Sequence, residues 1–147
     1  MTDLIIRQLA FTDPDFAACF ALRLAVFVEE QKVPLEEERD EHDPTALHFL
    51  ALAAGQPAGT ARVLLKEEGR LAKVTRVAVL PGARGAGLGV ALMRHIEAAV
   101  PAASFTLDAQ LHALPFYERL GYKAEGPVFM EAGIPHRRMG KQAPHQI

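Results

Sequence analysis

A strand that runs into a glycine-dense loop and then into a helix constrains this chain most. The apolar run 77–80 is typical of a strand, and Pro81 ends its pairing because proline has no N–H to donate. Four glycines follow between positions 82 and 89, where they permit backbone angles and close approaches that a Cβ would block. Apolar residues recur at helical spacing from Leu88, so the positive end of a helix dipole faces the loop. The junction therefore predicts a phosphate-binding site.

The spacing of the glycines distinguishes between kinds of phosphate loop. The run from Gly82 matches the opening of a nucleoside triphosphate loop, but Leu88 and Gly89 stand where a lysine and a serine or threonine would have to follow. A dinucleotide-binding loop would need a glycine at Val90 and an acidic ribose partner about 20 residues later, where Asp108 is a weak candidate. Neither kind of loop fits the chain well.

Two ordered motifs resemble those of the GNAT superfamily of N-acetyltransferases, which bind acetyl-coenzyme A (acetyl-CoA). The segment Arg84–Gly89 fits the pattern Q/R-x-x-G-x-G/A of the pyrophosphate loop at every position, and Ala113–Tyr122 fits A-x-x-F-Y-x-x-x-G-F/Y further along the chain. The segments 26–31, 40–48 and 131–136 resemble the ElaA-like branch of that superfamily. The resemblance covers nearly the whole chain.

The resemblance implies a mixed α/β fold, the GNAT acyl-CoA N-acyltransferase fold, with a splayed and mostly antiparallel central sheet flanked by helices. No change in composition marks a linker, so we expect one domain over residues 1–147 with a frayed tail from about Lys141. The periodicity predicts strands at 4–9, 47–53, 58–66, 71–79, 104–109, 128–131 and 135–139, and helices at 13–30, from about 87, and at 112–120. Asp13 is expected to cap the first helix.

The resemblance also implies roles for individual residues. A bulge in the strand at 76–79 would splay the sheet, and backbone groups of Val77 and Val79 would bind the pantetheine arm. The Val79 N–H would polarise the acetyl carbonyl, and Tyr117 would act as the general acid that protonates the departing thiolate. Tyr117 has an alternative role as a structural residue that hydrogen-bonds locally. The full set of implied cofactor contacts is Val77, Ala78, Val79, Arg84, Gly85, Ala86, Gly87, Leu88, Gly89, Gln110 and Tyr117.

The group that removes a proton from the attacking amine is less well defined. Candidates in the segments that border the expected cleft are Glu30, taken as the candidate base, and His112, Glu131 and His136. The acidic run 36–43 is either a solvated loop or a negative mouth that attracts a cationic amine.

Composition bounds the class of partner. The net charge of −2 and a sequence pI near 6.3 give no case for binding nucleic acid or an anionic membrane. No apolar run approaches the roughly 20 residues that span a bilayer, so we expect a cytoplasmic protein. The lone Cys19 is expected in the core, and the six histidines show no metal-ligand spacing, so we expect no metal. His95 and His145 are interpreted as surface residues.

The sequence therefore predicts an acetyl-CoA-dependent N-acetyltransferase that acts by direct attack in a ternary complex. Acetyl-CoA is the acyl-donor cosubstrate, the acceptor is a small amine or a peptide amine, and homodimerisation is left open. The alternative is a noncatalytic acyl-CoA-binding or regulatory protein with the same fold. Both would bind the cofactor, so binding alone does not distinguish them.

Overall fold

The computed structural model describes residues 3–38 and 40–144. The strands are β1 (Leu4–Leu9), β2 (Leu47–Ala53), β3 (Gln56–Lys66), β4 (Leu71–Val79), β5 (Ser104–Gln110), β6 (Lys123–Glu131) and β7 (Ile134–Gln142). The helices are α1 (Phe16–Arg23), α2 (Leu35–Glu38), α3 (Leu88–Ala99) and α4 (Leu114–Arg119), and α1 continues as a π-helix over Leu24–Glu30. Within the described residues the strands form a seven-stranded sheet in the order β1-β2-β3-β4-β5-β7-β6.

The pairing of β4 with β5 is the one parallel pairing recorded between neighbouring strands of this sheet in the described residues. It extends only from the Leu71–Ser104 pair to the Val74–Leu107 pair. Beyond it, β4 continues to Val79 and β5 to Gln110 without pairing to each other, so a gap opens in the sheet. The expected mixed, splayed and mostly antiparallel fold is therefore confirmed.

A β-bulge lies where the gap begins. The register between β3 and β4 slips by one residue, from Thr60 opposite Ala78 to Arg62 opposite Thr75. The extra residue lies in the stretch that contains Arg76, whose φ of +53° is uncommon for a residue with a side chain. A bulge bends the strand that carries it and increases the local twist, so β4 turns away from β5 at this point.

Helices cover both faces of the sheet. Cys19 and Leu22 of α1 pack on Leu50 of β2, on one face. Leu92 and Ile96 of α3 pack on the other face, in the main core with buried residues of β4 and β5. Because side chains alternate along a strand, each central strand contributes to both layers.

Some predicted boundaries were wrong. The first helix begins at Phe16 rather than at Asp13, because the Asp13 carboxylate accepts the Asp15 N–H (2.8 Å) in a turn instead of capping the helix. The last two strands are longer than predicted and cover 123–131 and 134–142, around the expected turn at 132–133. At the start of the expected frayed tail, Lys141 lies in β7 and the buried Ala143 donates its N–H to Ala103 O (3.0 Å), while 145–147 lie outside the described residues.

His145, which we expected at the surface, lies outside the described residues. In the part of the chain that the structure describes, no helix is both long and apolar enough to cross a membrane.

Candidate active site

A cleft of about 1290 Å³ passes from the glycine loop along the gap between β4 and β5 to the β6–β7 hairpin. It brings together most of the residues predicted from the sequence: Glu30, Val77, Val79, Arg84, Gly85, Gly87, Gly89, Gln110, His112, Tyr117, Glu131 and His136. Ala78 and Leu88 are buried in the packed layers instead, so any contact from them to a bound cofactor would have to come from the backbone. Ala86 is exposed on the loop.

The backbone of β4 faces the gap at Val77 and Val79. The Leu80 N–H donates to Ala58 O (2.9 Å), so Leu80 and Ala58 form a hydrogen-bonded antiparallel pair. The next pair, Val79 with Gly59, is then of the non-hydrogen-bonded kind, and its amide and carbonyl point away from β3. Val77 lies in the bulged stretch, where the β3–β4 register gives it no partner. The backbone of β4 is therefore open to the side on which β5 has separated.

The glycine loop is shaped for an anion. Gly85 and Gly87 have φ values of +84° and +82°, a region that residues with a side chain rarely adopt, and Gly87 caps α3. The first N–H groups of α3, from Leu88 onward, have no partner within the helix. Among the described residues, no backbone carbonyl accepts a hydrogen bond from the N–H groups of residues 85–87. The loop thus presents consecutive free donors at the positive end of a 12-residue helix.

Arg84 and Glu30 form a bidentate ion pair at the edge of the gap. The two terminal nitrogens of Arg84 donate to the Glu30 carboxylate at 2.8 and 2.7 Å, and its Nε donates to Val79 O at 2.9 Å. The hydrogen bond from Arg84 lowers the pKa of Glu30, which makes this carboxylate a weaker base. The π-helix carries Glu30 to this position, and the sequence analysis did not predict it.

The two tyrosines of the chain have different surroundings. Tyr117 of α4 is 8% exposed, lines the cleft, and its hydroxyl forms no hydrogen bond with any described residue. Burial raises the pKa of Tyr117 to about 12, so its phenol stays protonated at neutral pH. The Tyr122 hydroxyl instead donates to Glu97 Oε2 (2.9 Å) in the core. A purely structural tyrosine, buried and with its hydroxyl hydrogen-bonded, was the alternative considered for Tyr117. Tyr122 has that role.

Only part of the acidic run 36–43 is paired, and Glu37 lines the cleft outside those pairs, so the negative mouth considered from the sequence stays a prediction. Three of its carboxylates join three arginines in a cluster between α1 and the sheet, and we call this the ion cluster: Arg23, Glu38, Asp40, Asp43, Arg62 and Arg76. Arg23 and Glu38 are each 1% exposed. Although burial opposes it, the hydrogen bond from Arg62 lowers the pKa of Asp40 to about 2. The formal charges of the cluster cancel, so it forms a neutral wall of the cleft.

Three other predicted residues lie on the hairpin side of the cleft. The Gln110 amide donates to Gln31 Oε1 (3.0 Å), and the exposed His112 donates through Nε2 to Gln110 Oε1 (2.7 Å). His136 is 6% exposed, with Nδ1 2.6 Å from Ile134 O and Nε2 4.0 Å from Glu131 Oε2. His95, expected at the surface, is half-buried with its ring edge-on to Phe49 (6.0 Å between ring centres).

The chain is similar to known proteins along most of its length. Residues 13–143 match the family described as the acetyltransferase (GNAT) domain. A Bacillus subtilis protein named "Uncharacterized N-acetyltransferase YjcF" is 39% identical over 126 residues, which cover 83% of this chain and 89% of that protein.

Two solved structures have the same fold. An acyl-CoA N-acyltransferase from Pseudomonas aeruginosa superposes with a TM-score of 0.80 at 31% identity, covering 95% of this chain and 99% of the other. Escherichia coli ElaA superposes with a TM-score of 0.82 at 28% identity, with the same coverage of 95% and 99%. The resemblance inferred from the two motifs is therefore confirmed.

Proposed function

Because the chain belongs to the GNAT acetyltransferase family, we propose that it transfers an acetyl group from acetyl-CoA to a primary amine by direct attack in a ternary complex. Family membership makes the chain an acyltransferase that uses an acyl-CoA donor and an amine acceptor. The observation that carries the finer proposal is the gap between β4 and β5, which the Val79 N–H faces and which opens toward the glycine loop.

The loop and the gap fit the two parts of acetyl-CoA. The pyrophosphate binds the N–H groups of Gly85–Gly89, where positive φ values and the start of α3 supply donors that carry no net charge. The pantetheine arm lies in the gap and hydrogen-bonds to Val77 and Val79 as an added strand would. Gln110, at the end of β5, reaches the same cleft through its side chain.

The reaction needs one bond made and one broken at the acetyl carbon. The amine nitrogen attacks that carbon while the Val79 N–H donates to the carbonyl oxygen, which gains negative charge. When the intermediate collapses, the C–S bond breaks and Tyr117 donates its hydroxyl proton to the sulfur. The free hydroxyl of Tyr117, in contrast to that of Tyr122, supports this role.

The contacts of Arg84 and Glu30 indicate that this pair anchors the mouth of the gap. Their bidentate pair joins the glycine loop to the π-helix, and Arg84 also binds Val79 O. An Arg84 contact to the pyrophosphate would require the guanidinium to leave Glu30. Glu30 remains a candidate base from the sequence, but its pairing with Arg84 and its lowered pKa favour another proton acceptor.

The same proposal includes the chain's organisation and place in the cell. We propose that it forms one domain, since the described strands join in one sheet. A cytoplasmic location is supported by the single cysteine, Cys19, which is buried and free.

A panel of acceptors tests the proposal against the noncatalytic alternative. The protein is incubated with acetyl-CoA and alkyl amines, polyamines, amino acids or peptides, and both free thiol and acetylated amine are measured. We expect at least one amine to give equal amounts of CoA thiol and N-acetyl product. Tight CoA binding with no acetylated product from any amine would favour the noncatalytic protein.

A further inference from the structure

The proposed reaction still needs a proton acceptor, because the acceptor amine must lose a proton. Tyr117 lies in the main core with Phe105 and Met139, on the face of the sheet that α3 covers. His136 lies three residues before Met139 on β7, so its side chain is on the opposite face. A group there could accept a proton without competing with Tyr117 for the departing sulfur.

The β5–β7 register places His136 beside the open part of the cleft. It pairs directly with Gln110 at the end of β5, in the stretch that no longer pairs with β4. Gln110 in turn bonds to Gln31, which follows the π-helix on the α1 side. His136 therefore lies beside the open part of the gap, on the face of the sheet opposite Tyr117, and it lines the cleft together with Tyr117 and Val79.

Hydrogen bonding fixes which nitrogen of His136 is free. A carbonyl only accepts, so the 2.6 Å contact to Ile134 O assigns the proton of the neutral ring to Nδ1. Nε2 is then the basic nitrogen. The ring is further held by stacking on Phe129, with ring centres 5.8 Å apart and planes 21° apart. The lone pair of Nε2 is thus held in one orientation by a backbone contact and a ring contact.

The other candidate bases are either engaged in other hydrogen bonds or exposed to solvent. Glu30 is engaged by Arg84. His112 is exposed, and its Nε2 is bonded to Gln110. The side chain of Glu131 is 57% exposed, but its carboxylate lies 4.0 Å from Nε2 of His136, where it would stabilise a positive imidazolium.

We propose that His136 is the general base: Nε2 takes a proton from the ammonium form of the acceptor and so frees its nitrogen lone pair to attack the acetyl carbon. After the attack, the nitrogen loses its second proton to the Tyr117 oxygen, which has given its own proton to the sulfur. Ile134 O holds the ring, and Glu131 stabilises the imidazolium that results. Besides Glu131, the charged groups on this face are Asp108 of β5, which pairs with Arg138 of β7 and Lys73 of β4, and Glu125 of β6, which lies opposite Arg138. The assignment rests on the proposed acetyl transfer, because it supplies the proton acceptor that this transfer needs.

The test compares His136→Asn with the wild type across pH. Asparagine can keep a donor for Ile134 O but has no group in place of Nε2. At pH 7 we expect kcat to fall by about 10²–10⁴-fold. The deficit should narrow as the pH rises toward the pKa of the amine, because free amine then forms without help. The affinity for acetyl-CoA, measured by calorimetry, should be unchanged.

Two further variants keep the result interpretable. His42→Asn removes an exposed histidine that lines the far part of the same cleft, and it should leave rate and pH profile unchanged. Glu131→Gln alters an exposed side chain and should fold normally. It should lower kcat at pH 7 by about two- to fivefold, as expected for a solvent-screened charge pair.

The outcomes separate the two proposals. A wild-type protein that acetylates no amine would overturn the proposed function and this assignment with it. An active wild type with a His136→Asn variant of equal kcat, or with a loss that is the same at every pH, would overturn the assignment alone. If His136→Asn fails to fold, an unchanged kcat in Glu131→Gln would count against the assignment of His136 as the general base.

Discussion

The two halves of the β4–β5 pair differ in pairing and in burial. In the closed half, residues 71–74 pair with 104–107, and the side chains of Ala72, Val74, Phe105 and Leu107 are buried in the main core. In the open half, beyond Val74 and Leu107, the strands no longer pair with each other, and the cleft lies between them. The same two strands thus provide core in one half and a binding surface in the other.

The bulge in β4 marks the change from one half to the other. Before it, backbone donors and acceptors are satisfied by neighbouring strands; after it, the N–H of Val79 faces a gap and its carbonyl accepts from Arg84. Unpaired backbone groups are costly when they are dry, so a gap of this kind is stable when water or a ligand fills it. This comparison predicts that changes in the open half alter binding or rate, while the closed half holds the fold.

The largest expected effect comes from removing the Tyr117 hydroxyl in the open half. Tyr117→Phe keeps the ring packing but removes the proton donor, so kcat should fall by about 10²–10⁴-fold. The acetyl-CoA dissociation constant should change little. Steady-state kinetics with the best acceptor, together with calorimetry, measures both quantities.

The matched control for this variant is Tyr122→Phe. It also removes one buried hydroxyl, but this hydroxyl donates to Glu97 in the core. The variant should lose about 1–3 kcal/mol of stability, because a buried carboxylate loses a donor, and it should keep its kcat. Equal kcat values for Tyr117→Phe and wild type would assign Tyr117 to packing only.

The next effect concerns the glycine loop. Gly87→Val adds a branched side chain where the pyrophosphate is expected, and we expect CoA affinity to fall at least tenfold, or about 1.4 kcal/mol. The substitution also strains the backbone, since φ is +82°. Gly55→Val gives the same strain at φ +80° in the β2–β3 turn, with open space around the added Cβ. Similar CoA affinities in these two variants would argue against the loop as the pyrophosphate site.

The smallest effect concerns the ion cluster that forms a wall of the open half. The folded pKa of Asp40, about 2, lies below the unfolded value of about 3.9, so its contribution is full above the unfolded value. It is lost as the pH falls through the folded value. Wild type should lose about 1 kcal/mol more stability than Asp40→Asn between pH 5 and pH 2.5, allowing for solvent screening.

Urea unfolding at several pH values measures this difference. At neutral pH, Asp40→Asn should be less stable than wild type because Arg62 loses a partner, and the two curves should converge in acid. Glu41→Gln, which changes an exposed carboxylate, should follow the wild-type curve. Parallel curves for wild type and Asp40→Asn would contradict the lowered pKa.

Local patterns in the sequence predicted much of the sheet. β1, β2 and β4 have their predicted bounds, and for β2 and β4 the neighbouring Gly-Gln-Pro and Glu-Glu-Gly turns help to specify them. The glycine loop and the start of α3 also followed from local chemistry. The resemblance carried the bulge and the gap, which are set by pairing between distant segments.

Side-chain partners in the open half could not be predicted in the same way. The acidic run looks solvated in the sequence, because nothing local shows that Arg23, Arg62 and Arg76 converge on it from α1, β3 and β4. The pairing of Arg84 with Glu30 joins residues 54 positions apart and depends on a π-helix that no spacing rule indicated. The ring of His136 is oriented by a contact to Ile134 O in the same hairpin, and no sequence pattern indicates that contact.

Backbone amide exchange measured with and without CoA tests the central claim most directly. In the free protein, the amides of Val77 and Val79 should exchange rapidly, because they face the gap and not the neighbouring strand β3. On saturation with CoA these two amides should become strongly protected, while those of 71–74 keep the protection they already have. Unchanged exchange at Val77 and Val79 with CoA bound would contradict the account that the open half of the β4–β5 pair holds the acyl donor.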